Sequence, residues 1–138
     1  MRHVVIDTNV LVSACLRVGL PLRVLEVLLT DPEWRPVVTR LLAAEYLEVL
    51  RRPHIQVGIT RQPTILDRLL DVADLVDPVA TSVISRDTKD QMVLEAAAGG
   101  MADFLITGDK DILACAADTP FRIVSVRDFA ILALDLTP

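Results

Sequence analysis

Val4-Val5-Ile6 opens the chain with a short apolar run of β-branched residues, a pattern that predicts a buried strand. Thr8 to Leu16 starts a helix directly after it, and Gly19-Leu20-Pro21 breaks that helix. Pro21 to Thr30 reads as a second helix with Pro in its first turn, stopped near Asp31-Pro32. Arg35-Pro36-Val37-Val38 predicts a brief strand; Thr39 then caps a helix from Arg40 to Arg52, which Pro53 ends. Another helical run extends from near Thr60 to Leu75, with Leu66, Leu69, Leu70 and Ala73 on one face. Val79 to Ser85 is extended or loop. Asp87 to Ala98 is a helix stopped by Gly99-Gly100, and Asp103 to Thr107 is a strand running into the turn Gly108-Asp109-Lys110-Asp111. A short helix, a strand at Arg122-Ile123-Val124 and a helix from Val126 to Leu136 follow.

Strands alternating with helices predict an α/β fold with a parallel sheet covered on both faces. In such sheets ligands sit beyond the carboxyl ends of the strands, so residues at those ends carry the most interest. Composition narrows the picture. A length of 138 residues fits one domain over 1–138, and 52% hydrophobic content is high for it. No stretch approaches the ~18 uninterrupted apolar residues of a membrane span, which sends the apolar surplus into the sheet or a partner interface. Cys15 and Cys115 are too few and too far apart for a disulfide framework or a zinc site. Met1 to Asp7 enters a strand without the features of a secretory signal, so a cytoplasmic location is expected.

Net charge is −5, which argues against the basic footprint of most nucleic-acid binders. An acidic nuclease escapes that exclusion when metal ions neutralise its centre and nearby Arg and Lys meet phosphate. Candidate carboxylates exist. Asp7 follows the first strand and Asp109 follows the Phe104-to-Thr107 strand, so both occupy the carboxyl edge. Asp87 and Asp90 begin the helix before that strand, and pattern alone leaves their distance from the crevice open. Glu45 borders Leu42 and Val49 at the rim of its helix's apolar arc, whereas Glu48 lies on the polar side beside Arg51 and Arg52. Each has a bland reading: Asp7 as a helix cap, Asp87 with Asp90 as a capping pair, Asp109 as turn chemistry, Glu45 as a solvated helix residue. His3 and His54 show no partner spacing. Arg86, Lys89 and Lys110 flank the acids and are candidates to steer phosphate.

Four blocks, taken in order, carry a resemblance. Ile6-Asp7-Thr8-Asn9-Val10-Leu11-Val12-Ser13-Ala14 looks like the opening motif of PIN-domain proteins. Ala44-Glu45-Tyr46-Leu47-Glu48-Val49-Leu50, the stretch from Arg86 to Ala97, and the stretch from Ala102 to Leu113 resemble the second, third and fourth motifs. The chain is most similar to the branch of bacterial toxin–antitoxin PIN toxins, the VapC-like ribonucleases. The resemblance implies a three-layer α/β/α sandwich around a mostly parallel sheet of about five strands. It implies that Asp7, Glu45, Asp90 and Asp109 hold one or two Mg²⁺ or Mn²⁺ ions. Asn9 and Thr107 would support the carboxylates and water, with Asp87 and Asp111 as neighbours. The implied activity is endoribonucleolytic hydrolysis of RNA phosphodiester bonds, leaving a 5′-phosphate and a 3′-hydroxyl because water attacks. An antitoxin protein and a second copy of the chain are the implied partners, and no membrane is.

The donor chemistry agrees with that set. Clustered carboxylates repel, and hard divalent cations relieve the repulsion because they prefer oxygen ligands. A haloacid-dehalogenase phosphatase needs a second Asp two residues after its nucleophile, where this chain has Asn9. A receiver domain needs a strand-end Asp midway along the chain, where Asp67, Asp71 and Asp74 lie in a helical pattern instead. The remaining rival is a non-catalytic PIN-like module that binds RNA or protein partners.

Overall fold

The computed structural model of the chain describes residues 1–59, 64–81 and 88–136. Five strands form one sheet: β1 (Arg2–Ile6), β2 (Trp34–Val38), β3 (Asp74–Leu75), β4 (Phe104–Ile106) and β5 (Arg122–Val124). Their spatial order is β3-β2-β1-β4-β5, and every pairing is parallel. Val4 lies between Pro36 and Phe104, which places β1 at the centre. Val4 to Ile6 and Phe104 to Ile106 are all buried, as a parallel sheet covered on both faces requires.

Helices α1 (Thr8–Leu16) and α2 (Leu20–Thr30) connect β1 to β2. Three more, α3 (Arg40–Leu50), α4 (Pro53–Gly58) and α5 (Thr64–Val72), connect β2 to β3. Helix α6 (Thr88–Gly99) leads into β4, α7 (Lys110–Leu113) and a 3₁₀ turn at Ala116–Asp118 lead into β5, and α8 (Val126–Ala133) follows β5. The chain steps one way across the sheet from β1 to β3 and the other way from β4 to β5. Right-handed crossovers therefore cover opposite faces in the two halves, giving the expected three-layer α/β/α sandwich. At the amino end of the sheet Phe129 packs edge to face on Trp34 and on Phe104, with ring centroids 5.1 Å apart in each pair, which fixes α8 against the strands.

Three local features differ from the pattern read along the chain. Pro53 does not merely end a helix: α3 stops at Leu50, and Pro53 opens α4 at a first-turn position where its missing N–H is not needed. The run expected to stay helical to Leu75 stops at Val72, and Asp74–Leu75 pair with Val37–Val38 as an edge strand. Gly99-Gly100 marks the end of α6, but not by supplying a left-handed residue. That residue is Met101 (φ 48°), with the Ala102 N–H on Ala97 O at 3.0 Å and the Met101 N–H on Ala98 O at 3.2 Å. The glycines serve close approach instead: a Cβ on Gly99 would lie 1.9 Å from Asp77 O, and one on Gly100 would lie 2.6 Å from Val37 Cγ2.

Candidate metal centre

The strand order reverses between β1 and β4, and such a reversal opens a crevice at the carboxyl ends of the two strands. Asp7 is the first residue past β1 and the N-cap of α1. Its Oδ1 accepts the Thr8 N–H at 2.8 Å, and its Oδ2 accepts the Thr107 hydroxyl at 2.6 Å and the Asn9 amide at 3.3 Å. Thr107, fully buried at the end of β4, in turn accepts the Asp109 N–H at 3.0 Å. Asn9 Oδ1 takes the Gly108 N–H at 3.3 Å. The two strand ends are thereby tied together through side chains that themselves carry or hold carboxylates.

Two contacts dock α3 on the same edge. The Thr8 hydroxyl donates to Glu45 Oε2, and the hydroxyl of fully buried Tyr46 donates to Ile6 O, one residue before Asp7. Asp109 caps α7, its Oδ1 accepting the N–H groups of Asp111 at 2.8 Å and Ile112 at 3.4 Å. Asp90 sits in the first turn of α6 and is only 6% exposed. Asp7, Glu45, Asp90 and Asp109 line one cavity of about 420 Å³, with Lys89 at its wall and Val12 and Val49 as an apolar side. Within it the carboxylates are unevenly spaced. Asp90, Asp109 and Asp111 each bring an oxygen within 4.8 Å of the others, while Asp7 and Glu45 stand outside that tighter group.

Burial pushes the Asp7 carboxyl above the usual carboxylate range. The Thr107 hydroxyl and the Thr8 N–H offset part of that rise, and the charges of Glu45 and Asp109 add to it. Tyr46 is raised well above the ordinary phenol range, first by burial and then by Asp7 and Glu45. An ionised Asp7 is thus held in a place that disfavours its charge, a condition a bound cation reverses. Among the described residues the cavity is lined by carboxylate and other oxygen donors and by neither His nor Cys, which suits a hard divalent ion and not zinc.

The sequence matches the PIN domain over residues 3–111, a span that contains all four acidic positions. The chain belongs to the PIN-domain family. Its fold is similar to a solved chain of VapBC2 from Rickettsia felis bound to a DNA fragment from their promoter, at a TM-score of 0.55 and 14% identity. The match covers 89% of this chain and 98% of that one. No curated protein matches the sequence.

On the PIN frame, the expected site residues other than Arg86 and Asp87 can be located. Asn9 and Thr107 bond the carboxylate of Asp7 as described. Asp111, expected only as a neighbour, is exposed but belongs to the closest group of acidic oxygens. Lys89 lines the cavity, whereas Lys110 is exposed one residue beyond Asp109 and is not part of the lining. Arg86 and Asp87 lie outside the described residues. Glu48 pairs with Arg52 at 2.8 Å on the solvent side of α3, as its place on the helical wheel implies. Two contributors escaped the reading of the chain. Thr8 is nearly fully buried against Glu45, and Tyr46 holds the backbone of β1; both stand beside a singled-out acid, and that adjacency was the available signal.

Proposed function

We propose that this protein is a Mg²⁺- or Mn²⁺-dependent endoribonuclease whose centre is Asp7, Glu45, Asp90 and Asp109, and that it is the toxin of a toxin–antitoxin pair. The observation that carries the reading is the meeting of four carboxylates from four separate segments in one cavity at the sheet's carboxyl edge. Family membership and the fold shared with a chain of a VapBC assembly support it. Bound there, one or two divalent ions supply a water of lowered pKa and stabilise charge on the phosphoryl oxygens.

The chain's own residues do the rest. Thr107 and Asn9 hold Asp7 in one orientation, and the Thr107 hydroxyl links it to the backbone of Asp109. Asp111 adds an exposed acidic oxygen on the Asp90–Asp109 side. Lys89 meets a substrate phosphate at the cavity wall, compensating locally for a net charge of −5. Val12 and Val49 close one side with apolar surface and limit water there. An antitoxin and a second copy of the chain are the proposed protein partners, in the cytoplasm, and among the described residues no helix is long and apolar enough to cross a membrane.

The test is cleavage of a panel of structured RNAs by purified protein with Mn²⁺, Mg²⁺ or EDTA, with end-group analysis of the products. Metal-dependent cuts with 5′-phosphate and 3′-hydroxyl ends are expected. No cleavage of any RNA with either ion would sink the nuclease assignment.

A further inference from the structure

The hydrogen bonds of Asp7, Asp109 and Glu45 can be resolved oxygen by oxygen, because an ionised carboxylate has two oxygens with about two acceptor positions each. Asp109 Oδ1 already accepts two backbone N–H groups, from Asp111 and Ile112. Asp7 Oδ2 already accepts two donors, the Thr107 hydroxyl and the Asn9 amide, while Oδ1 accepts one. Glu45 differs in how it is held. Its Oε2 accepts the Thr8 hydroxyl, and Oε1 has no hydrogen bond among the described residues. The Asp7 carboxylate is held by the Thr8 N–H, the Thr107 hydroxyl and the Asn9 amide, and that of Asp109 by the N–H groups of Asp111 and Ile112, so several contacts orient each. Glu45 projects from the middle of α3, half-buried, and among the described residues the Thr8 contact is the one hydrogen bond that orients its carboxylate.

We propose that Thr8 is a positioning residue that makes Glu45 a ligand through Oε1 alone, and that it thereby sets the preference of this centre for a small octahedral ion over Ca²⁺. The inference rests on the metal-site reading above. Mg²⁺ and Mn²⁺ suit single-oxygen carboxylate ligands in near-octahedral sites, whereas Ca²⁺ takes 6–8 oxygens and readily accepts both oxygens of one carboxylate. The hydroxyl proton takes one of the two acceptor positions of Oε2 and leaves Oε1 as the oxygen without a hydrogen bond among the described residues, which favours binding through Oε1 over the two-oxygen mode.

The experiment compares wild type, Thr8→Val and Thr8→Ser by calorimetric titration with Mn²⁺ and with Ca²⁺, alongside melting in EDTA. Valine keeps the shape and removes the donor; serine keeps the donor. Thr8→Val should weaken Mn²⁺ binding by about 10- to 100-fold, the range seen when a residue supporting a metal ligand is lost, while Ca²⁺ binding changes much less. Thr8→Ser should keep both the Mn²⁺ affinity and the preference. Equal weakening of both ions by Thr8→Val, or an unchanged Mn²⁺ affinity, overturns the role given to Thr8 while leaving the metal site standing. Wild-type protein that binds no Mn²⁺ at millimolar concentration overturns the site and the inference together. If Thr8→Val fails to fold, Thr8→Ser with a wild-type melting point but a lost Mn²⁺-over-Ca²⁺ preference still overturns the proposal.

Discussion

Asp7 caps α1 and, in the proposed centre, also meets the cation, and the two roles separate under mutation. As the N-cap of α1 it satisfies a backbone donor; as a buried carboxylate beside Glu45 and Asp109 it is the group a cation most relieves. Asp7→Asn keeps Oδ1 for the Thr8 N–H but puts an amide where Oδ2 receives Thr107 and Asn9. Relief of a desolvated charge and loss of an acceptor oppose each other, so melting in EDTA should move little. RNA cleavage and the response to Mn²⁺ should both vanish. Retained cleavage by this variant removes Asp7 from the mechanism. That Asp7, Glu45, Asp90 and Asp109 line one cavity was foreshadowed in the sequence, because each lies in a block with a recognisable neighbourhood, and Asp7 and Asp109 also follow apolar strand runs. Thr8 and Tyr46 were not, because nothing in a one-dimensional pattern says that a threonine of one block will face a glutamate 37 residues away.

Elements were legible in proportion to their length and periodicity. Helix α1 and strand β5 fall where the pattern puts them, since an apolar run bounded by breakers has one reading. The two-residue strand β3 was lost in a helical pattern because it is shorter than the alternation that identifies strands; its pairing with Val37–Val38 is decided by tertiary contact. The end of α6 shows the same limit in another form. Two glycines mark the stop correctly, yet the left-handed position falls on Met101, which is 82% exposed. A left-handed conformation costs a non-glycine residue about 1–2 kcal/mol, and an exposed side chain returns little packing. Met101→Gly should therefore stabilise the protein by about 0.5–1 kcal/mol after the added chain entropy of glycine, or roughly 2–3 °C at this length. Thermal melting in EDTA checks it, and a lower melting point would mean that Met101 packs against a partner in solution.

For the whole molecule, the proposed function makes stability depend on metal and pH together, because Asp7, one of the proposed ligands, is buried beside other acids. A ligand at about 100 times its Kd adds ~2.7 kcal/mol to a native state that alone binds it. With an unfolding entropy of ~2.1 cal/mol/K per residue, that corresponds to roughly 9 °C for this chain. The pH dependence fixes the sign. The folded-state pKa of Asp7 is raised above its ordinary value, so its contribution to stability is present at low pH and is lost as pH rises through the folded value. In EDTA, the Asp7 contribution should lower the melting point as pH increases across that range. In saturating Mn²⁺ the ion needs the ionised carboxylate, so its stabilising effect should grow over the same interval. The two melting curves should therefore diverge as pH rises, and Asp7→Asn should both flatten the EDTA curve and close the gap. Curves that run parallel in wild-type protein would mean that Asp7 and the ion do not meet.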